Sequence, residues 1–127
     1  MMLVDTSAWI DFFRGKEPVA SSVDSALFGN EVALCGPIET ELRRGLLNSR
    51  ERKRVLPLLQ GCRWLDTPSN LWVEAGELGY ALRRRGVTVK TFDLLIATYA
   101  LTYNLPLLTS DTDFEKIRDA SVPLMLV

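Results

Sequence analysis

The sequence predicts an α/β domain, three layers deep, in which short parallel strands lie between helices. Three observations predict it. Apolar runs of three to five residues alternate with helix-length amphipathic segments along the whole chain, the pattern of strands joined by helical crossovers. The first run, Met1 to Val4, is cut off by Asp5, Thr6 and Ser7 and leads straight into an amphipathic segment, as a buried parallel strand does before a helix. No internal repeat, low-complexity tract or linker interrupts the 127 residues, so a single domain over residues 1–127 is expected.

In chain order, Trp9, Ile10, Phe12 and Phe13 give the first helix a broad apolar surface, and Gly15 ends it. Pro18 opens a second helix with the stripe Val19, Val23, Leu27 and Phe28. Glu31 to Cys35 reads as the second strand. Pro37 then stands at the favoured first position of a helix running to about Leu47. Ser49 is the expected cap of the next helix, which carries Arg50, Arg52, Lys53 and Arg54 before its apolar half. Arg63 to Leu65 reads as a brief strand, and Pro68 to Arg85 as a long helix with Leu71, Ala75, Leu78 and Leu82 on one row. Thr91 caps an apolar helix from Phe92 to about Tyr103 that should be buried on most of its circumference. Leu105 to Leu108 is a strand, Asp113 to Arg118 a short helix and Pro123 to Val127 a terminal strand.

Composition excludes several chemistries. There is no histidine, which removes Ser-His-Asp and Cys-His hydrolases and His-ligated zinc. The two cysteines, Cys35 and Cys62, show no CxxC spacing and read as reduced thiols of a cytoplasmic protein. No signal-peptide pattern and no run of roughly 18 apolar residues is present, so no membrane association is expected. Net charge is −1, so no global basic field marks a nucleic-acid binder.

The acids fall in a pattern. Asp5 and Asp111 each follow a strand and neighbour hydroxyl residues, with Asp113 two further on. Right-handed crossovers bring such strand ends to one sheet edge, where ligands bind. Each alone reads equally well as a helix N-cap. Glu39 has Arg43 four residues on and sits in a first turn, so an ion pair and the helix dipole account for it. Glu41 flanks the Ile38/Leu42 row and has Gly45 four residues on, which leaves it room to reach across the edge; a solvated rim position is the alternative. Asp93 shares a helix face with Ile96, Ala97 and Ala100, and a carboxylate turned inward needs a partner or a metal.

Four segments together, Leu3-Val4-Asp5-Thr6-Ser7, Pro37 to Gly45, Phe92-Asp93 to Ala97 and Leu107 to Phe114, resemble in order and spacing the PIN-domain ribonucleases, specifically the VapC type of toxin in toxin-antitoxin pairs. The resemblance covers essentially the full length. It implies a PIN-like fold and a metal-dependent endoribonuclease with Asp5, Glu41, Asp93 and Asp111 as catalytic, metal-binding acids. It places Asp113 behind them or in contact through water, and Thr6, Thr109 and Ser110 as hydroxyls that orient the acids. It further implies a VapB-like antitoxin packed in an apolar groove near the site, a homodimer, and an RNA substrate (tRNA, rRNA or mRNA).

Carboxylate oxygens suit Mg²⁺ or Mn²⁺, and such ions serve phosphoryl transfer. Two carboxylates about 4 Å apart repel by roughly 4 kcal/mol at an effective dielectric near 20, so four in one pocket call for a cation. Arg43, Arg44, Arg50 and Lys53 are the expected RNA contacts, in a basic stretch with Arg52 and Arg54. A solvated helix face is the alternative for each cluster, and for Arg83 to Arg85 a complement to the helix C-terminus. Competing readings of the whole are a catalytically silent binding module and a receiver-type signalling domain. The latter is disfavoured by a single acid in the first motif and no lysine between Pro123 and Val127.

Overall fold

Four parallel strands carry the architecture in the computed structural model, which describes residues 1–46 and 48–127. They are β1 (Met2–Val4), β2 (Val32–Leu34), β3 (Arg63–Trp64) and β4 (Leu107–Leu108), in the sheet order β3-β2-β1-β4. Between them lie α1 (Thr6–Phe13), α2 (Val19–Phe28), α3 (Gly36–Gly45), α4 (Ser49–Gln60), α5 (Leu71–Arg84) and α6 (Thr91–Thr102), and α7 (Asp113–Asp119) follows β4. α1 packs on α2 and α5 on α6; with the right-handed crossovers that are the rule for parallel strands, the strand order assigns α1 to α4 to one face of the sheet and α5 and α6 to the other, the three-layer α/β arrangement expected from the alternation.

The strand order has one functional consequence. The chain steps from β1 to β2 to β3 in one direction, then returns to lay β4 on the opposite side of β1. The crevice at the carboxyl ends of β1 and β4 is therefore the topological switch point, where open α/β sheets bind ligands. Pairing of Leu3 with Leu107 and Val4 with Leu108 sets the register there. The next pair in that register is Asp5 and Thr109.

Burial follows the sequence pattern closely. Leu3, Val4, Ala33, Leu34, Leu107 and Leu108 are buried, as strands covered on both faces must be. Every residue from Leu95 to Ala100 on α6 is buried, matching its apolar circumference. At Gly79 an added Cβ would lie 2.8 Å from Leu94 Cδ1, so the missing side chain lets α5 and α6 approach beside Asp93.

Differences from the sequence reading are shifted element ends and one missing strand. Asn48 caps α4, accepting from the Glu51 N–H at 2.8 Å in place of Ser49. Lys90 precedes α6 without a side-chain cap, and Thr91 is its first residue. α5 begins at Leu71, three residues past Pro68. The expected end of α3 at Leu47 lies outside the described residues. Pro123 to Val127 does not form a strand: it makes one parallel bridge, Leu107 to Leu126. A tight turn from Leu124 N–H to the Val122 carbonyl, after Ser121 at φ 67, bends the chain away until residue 125.

Candidate functional site

Asp5 is the fixed point of the crevice. As the N-cap of α1 it accepts the Ala8 N–H at 3.0 Å on Oδ1, satisfying one of the helix's free donors. The same oxygen accepts the Ser7 hydroxyl at 2.7 Å, and Oδ2 accepts the Thr109 hydroxyl at 2.6 Å across the strand pair. Only 3% of Asp5 is exposed. Burial raises its pKa above the usual carboxylate value, while the Thr109, Ala8 and Ser7 donors pull it back; the Asp111 charge adds a further upward push.

From Asp5 a chain of hydrogen bonds builds the turn after β4. The Thr109 oxygen accepts the Asp111 N–H at 2.9 Å, and Asp111 Oδ1 accepts the Asp113 N–H at 2.9 Å. Ser7 Oγ accepts the Ser110 N–H at 2.9 Å, and Ser110 Oγ donates to Asp11 Oδ2 at 2.6 Å. The turn carrying Asp111 and Asp113 is thereby tied to α1 and its cap through the Thr109 hydroxyl, the Ser110 N–H and the Ser110 hydroxyl. The sequence assigns Ser7 no role beyond membership of the first motif, and Asp11 none at all. Ser7 carried a signal in its place two residues after an N-cap acid, whereas Asp11 is one more polar position on a helix.

Three of the five acids gather tightly. Asp93 at the start of α6, Asp111 and Asp113 each offer a carboxylate oxygen, and these lie within 4.8 Å of one another. Asp5 and Glu41 stand outside that triad but within electrostatic reach. Asp93 is pushed up to about 6, first by burial and then by the charges of Asp111, Glu41, Asp113 and Asp5 in that order. Among the described residues no group donates a hydrogen bond to the Asp93 carboxylate. Glu41 reaches from α3 to α1, where Thr6 Oγ1 donates to its Oε1 at 2.7 Å. Nothing lies within 4 Å of a Cβ built on Gly45, in keeping with the room anticipated beside Glu41.

A concentration of hard anionic oxygens, offset among the described residues only by an exposed lysine on Asp113, fits a divalent cation. Asp93, Asp111 and Asp113 are the residues able to hold one, with Asp5 and Glu41 beside them. Of the predicted hydroxyls, Thr6 and Thr109 meet site acids, whereas the Ser110 hydroxyl turns to Asp11. Arg43, Arg44, Arg50 and Lys53 are exposed near the end of α3 and the start of α4. The expected Glu39–Arg43 pair is present at 3.7 Å.

A groove leads away from the acids. It encloses about 190 Å³ and runs from Thr6 and Glu41 over Ile10, Phe13, Leu46 and Val55, with Arg14 and Arg54 among its lining residues.

A three-layer domain with carboxylates gathered at the switch point defines an acid-site α/β protein, and comparison with known proteins places it further. The PIN domain profile matches residues 2–120. VapC ribonuclease Mb1587 of Mycobacterium bovis is 32% identical over 122 residues, spanning 92% of this chain and 91% of its own. Among solved structures, VapBC-5 from Mycobacterium tuberculosis, a member of the VapBC family of toxin-antitoxin systems, superposes with a TM-score of 0.69. It is 27% identical, over 99% of this chain and 98% of that one. VapBC2 from Rickettsia felis, bound to a DNA fragment from its promoter, shares the fold at a TM-score of 0.79 and 20% identity, over 99% of this chain and 96% of that one. The chain belongs to the PIN domain family, in its VapC branch.

Proposed function

We propose that this protein is a single-domain, cytoplasmic endoribonuclease dependent on Mg²⁺ or Mn²⁺, and the toxin of a VapBC-type toxin-antitoxin pair. The observation that carries this reading is the Asp93, Asp111 and Asp113 triad at the switch point, with Asp5 and Glu41 adjoining it. A divalent cation, when bound, supplies the positive charge that holds a scissile phosphate and acidifies a water for in-line attack. The chain's own residues supply the rest. Asp5 holds the β4–α7 turn through Thr109 and so fixes where Asp111 and Asp113 point. Glu41, with Oε1 held by Thr6, leaves Oε2 to take a proton from an attacking water. Arg43, Arg44, Arg50 and Lys53 bind the RNA backbone outside the cleft.

The groove supports the antitoxin partner: it is apolar along its floor and opens directly onto Thr6 and Glu41. A homodimer is supported by the outward face of α5, where Trp72, Val73 and Tyr80 are 71%, 66% and 59% exposed. They lie on one side of the helix around Gly76, a contiguous apolar strip of the kind that marks an interaction site. Trp72→Glu is expected to convert the dimer to a monomer in light scattering while leaving the circular dichroism spectrum unchanged.

The test of the activity is cleavage of labelled structured RNAs with and without Mg²⁺ or Mn²⁺, comparing wild type with Asp5→Asn. Asparagine is as good an N-cap as aspartate, so the variant folds and its loss of activity is interpretable. Metal-dependent cutting that the substitution abolishes is the expected result. Cutting that survives it assigns the activity to another site or a contaminant. No cutting by either protein with metal bound, over a broad RNA panel, points to a silent binding module.

A further inference from the structure

The acid triad is met by one cation of the chain itself. Lys116, one turn into α7, donates from Nζ to Asp113 Oδ1 at 3.2 Å. Among the described residues two other ion pairs occur, Arg43 with Glu39 and Arg118 with Asp119, and neither involves the triad. The Lys116 side chain is 59% exposed and that of Asp113 is 27% exposed, so the lysine spans from solvent to the rim of the cleft. As an ordinary helical pair at i,i+3 with this exposure it contributes little to stability. Its location is what gives it consequence. The residues on either side of it on α7, Glu115 and Ile117, offer no positive charge, and Arg118 is turned to Asp119.

We infer that Lys116 is a substrate-contacting residue: it rests on Asp113 while the acids lack a divalent cation, and turns to a nonbridging phosphate oxygen of the RNA once they hold one. The inference rests on the proposed nuclease activity. The chemistry follows from the competing charges. An ammonium and a divalent cation repel each other, so loading the triad weakens the hold of Asp113 on Nζ. The stem of Lys116 is long and flexible, and an exposed ammonium needs no desolvation to swing. A phosphodiester bound at the triad presents an anionic oxygen to that ammonium, and hydrolysis adds negative charge at the same phosphorus, so the contact strengthens as the reaction proceeds. No bond to Lys116 forms or breaks, and its proton stays on Nζ.

Two measurements on the intact protein test this. The first is Mn²⁺ affinity, from the electron paramagnetic resonance signal of free Mn²⁺ titrated with wild type, Lys116→Gln and Lys116→Arg. Removing a nearby positive charge is expected to tighten Mn²⁺ binding about fourfold in Lys116→Gln, with Lys116→Arg close to wild type. The second is cleavage of a labelled RNA at saturating Mn²⁺, where Lys116→Gln is expected to lose about ten- to hundredfold in kcat/KM and Lys116→Arg to keep most of it. Opposite signs in the two readouts separate this role from a structural one, since a loosened α7 would weaken both. Unchanged or weaker Mn²⁺ binding by Lys116→Gln overturns the resting contact, and unchanged cleavage by it overturns the substrate contact. A wild type that binds Mn²⁺ but cuts no RNA overturns the nuclease reading itself, and the substrate contact with it, while the Mn²⁺ titration still decides the resting contact on its own.

Discussion

Asp93→Asn will sharply reduce metal-dependent RNA cleavage and, in the same protein, raise the stability of the metal-free form at neutral pH. Both effects have one cause. Asp93 is half-buried, receives no hydrogen bond among the described residues, and faces four other carboxylates, which together push its titration up to about 6 from 3.8. A carboxyl raised in the fold contributes stability that is fully present below its unfolded value, near pH 4, and is lost as pH rises through about 6. Metal-free wild type should therefore lose melting temperature between about pH 4 and pH 6, as Asp93 gives up its proton into the cluster. Asparagine carries no such proton, so the variant should show a flatter profile and a higher melting temperature at pH 7.5. Activity moves the opposite way. Losing one ligand should lower Mn²⁺ affinity by about 10–100-fold, and cleavage at fixed Mn²⁺ by about 10²–10³-fold or more. Thermal melts across pH with a chelator, followed by cleavage assays, check both halves. A variant no more stable than wild type above pH 6 would sink the electrostatic account of the site.

Trp9→Ala will produce the largest loss of stability of any substitution considered. Trp9 is fully buried at the centre of α1 and packs its ring against Phe12 and Phe13 at centroid distances of 6.0 and 5.7 Å. Truncating a buried aromatic costs about 3–5 kcal/mol, a sizeable share of the margin of a domain this size. The expected fall in melting temperature is about 10–25 °C. Trp9→Phe should cost much less, because Trp9 Nε1 is buried without a hydrogen-bond partner and phenylalanine removes that orphaned donor with it. Denaturant melts of both variants give the comparison, and a Phe variant as damaged as the Ala variant would show that ring volume, with no relief from the unmet N–H, sets the cost. α1 is capped by Asp5 and carries Ser7 and Asp11, so Trp9→Ala should weaken metal binding well below its melting point.

The architecture was legible because its causes are local. Each strand is a short apolar run, and each long helix repeats at the helical period, so alternation alone specified the layers and the parallel sheet. What escaped were element ends decided by competition between neighbours. Asn48 and Ser49 both make good caps, and the choice fell to the residue whose oxygen met the Glu51 N–H. The last apolar run, Pro123 to Val127, has strand composition, but the turn at Ser121 to Leu124 leaves it only three residues to pair. At the site, the acids could be read from position after a strand or at a helix start. Their spacing could not: the tight triad draws in Asp113 through its backbone bond to Asp111, a contact invisible at the level of residue order. Ser7 and Asp11 escaped for a similar reason, since their partners lie about a hundred residues away and only the register of β1 with β4 brings them together.

That register also fixes an order in time. Asp5, Glu41 and Asp93 all precede residues 109–113 in the chain, so the hydrogen bonds that hold Asp111 and Asp113 are the last part of the site to form during synthesis. The site's charge therefore comes together only after the turn at residues 109–113 has been made, however early its other acids are in place.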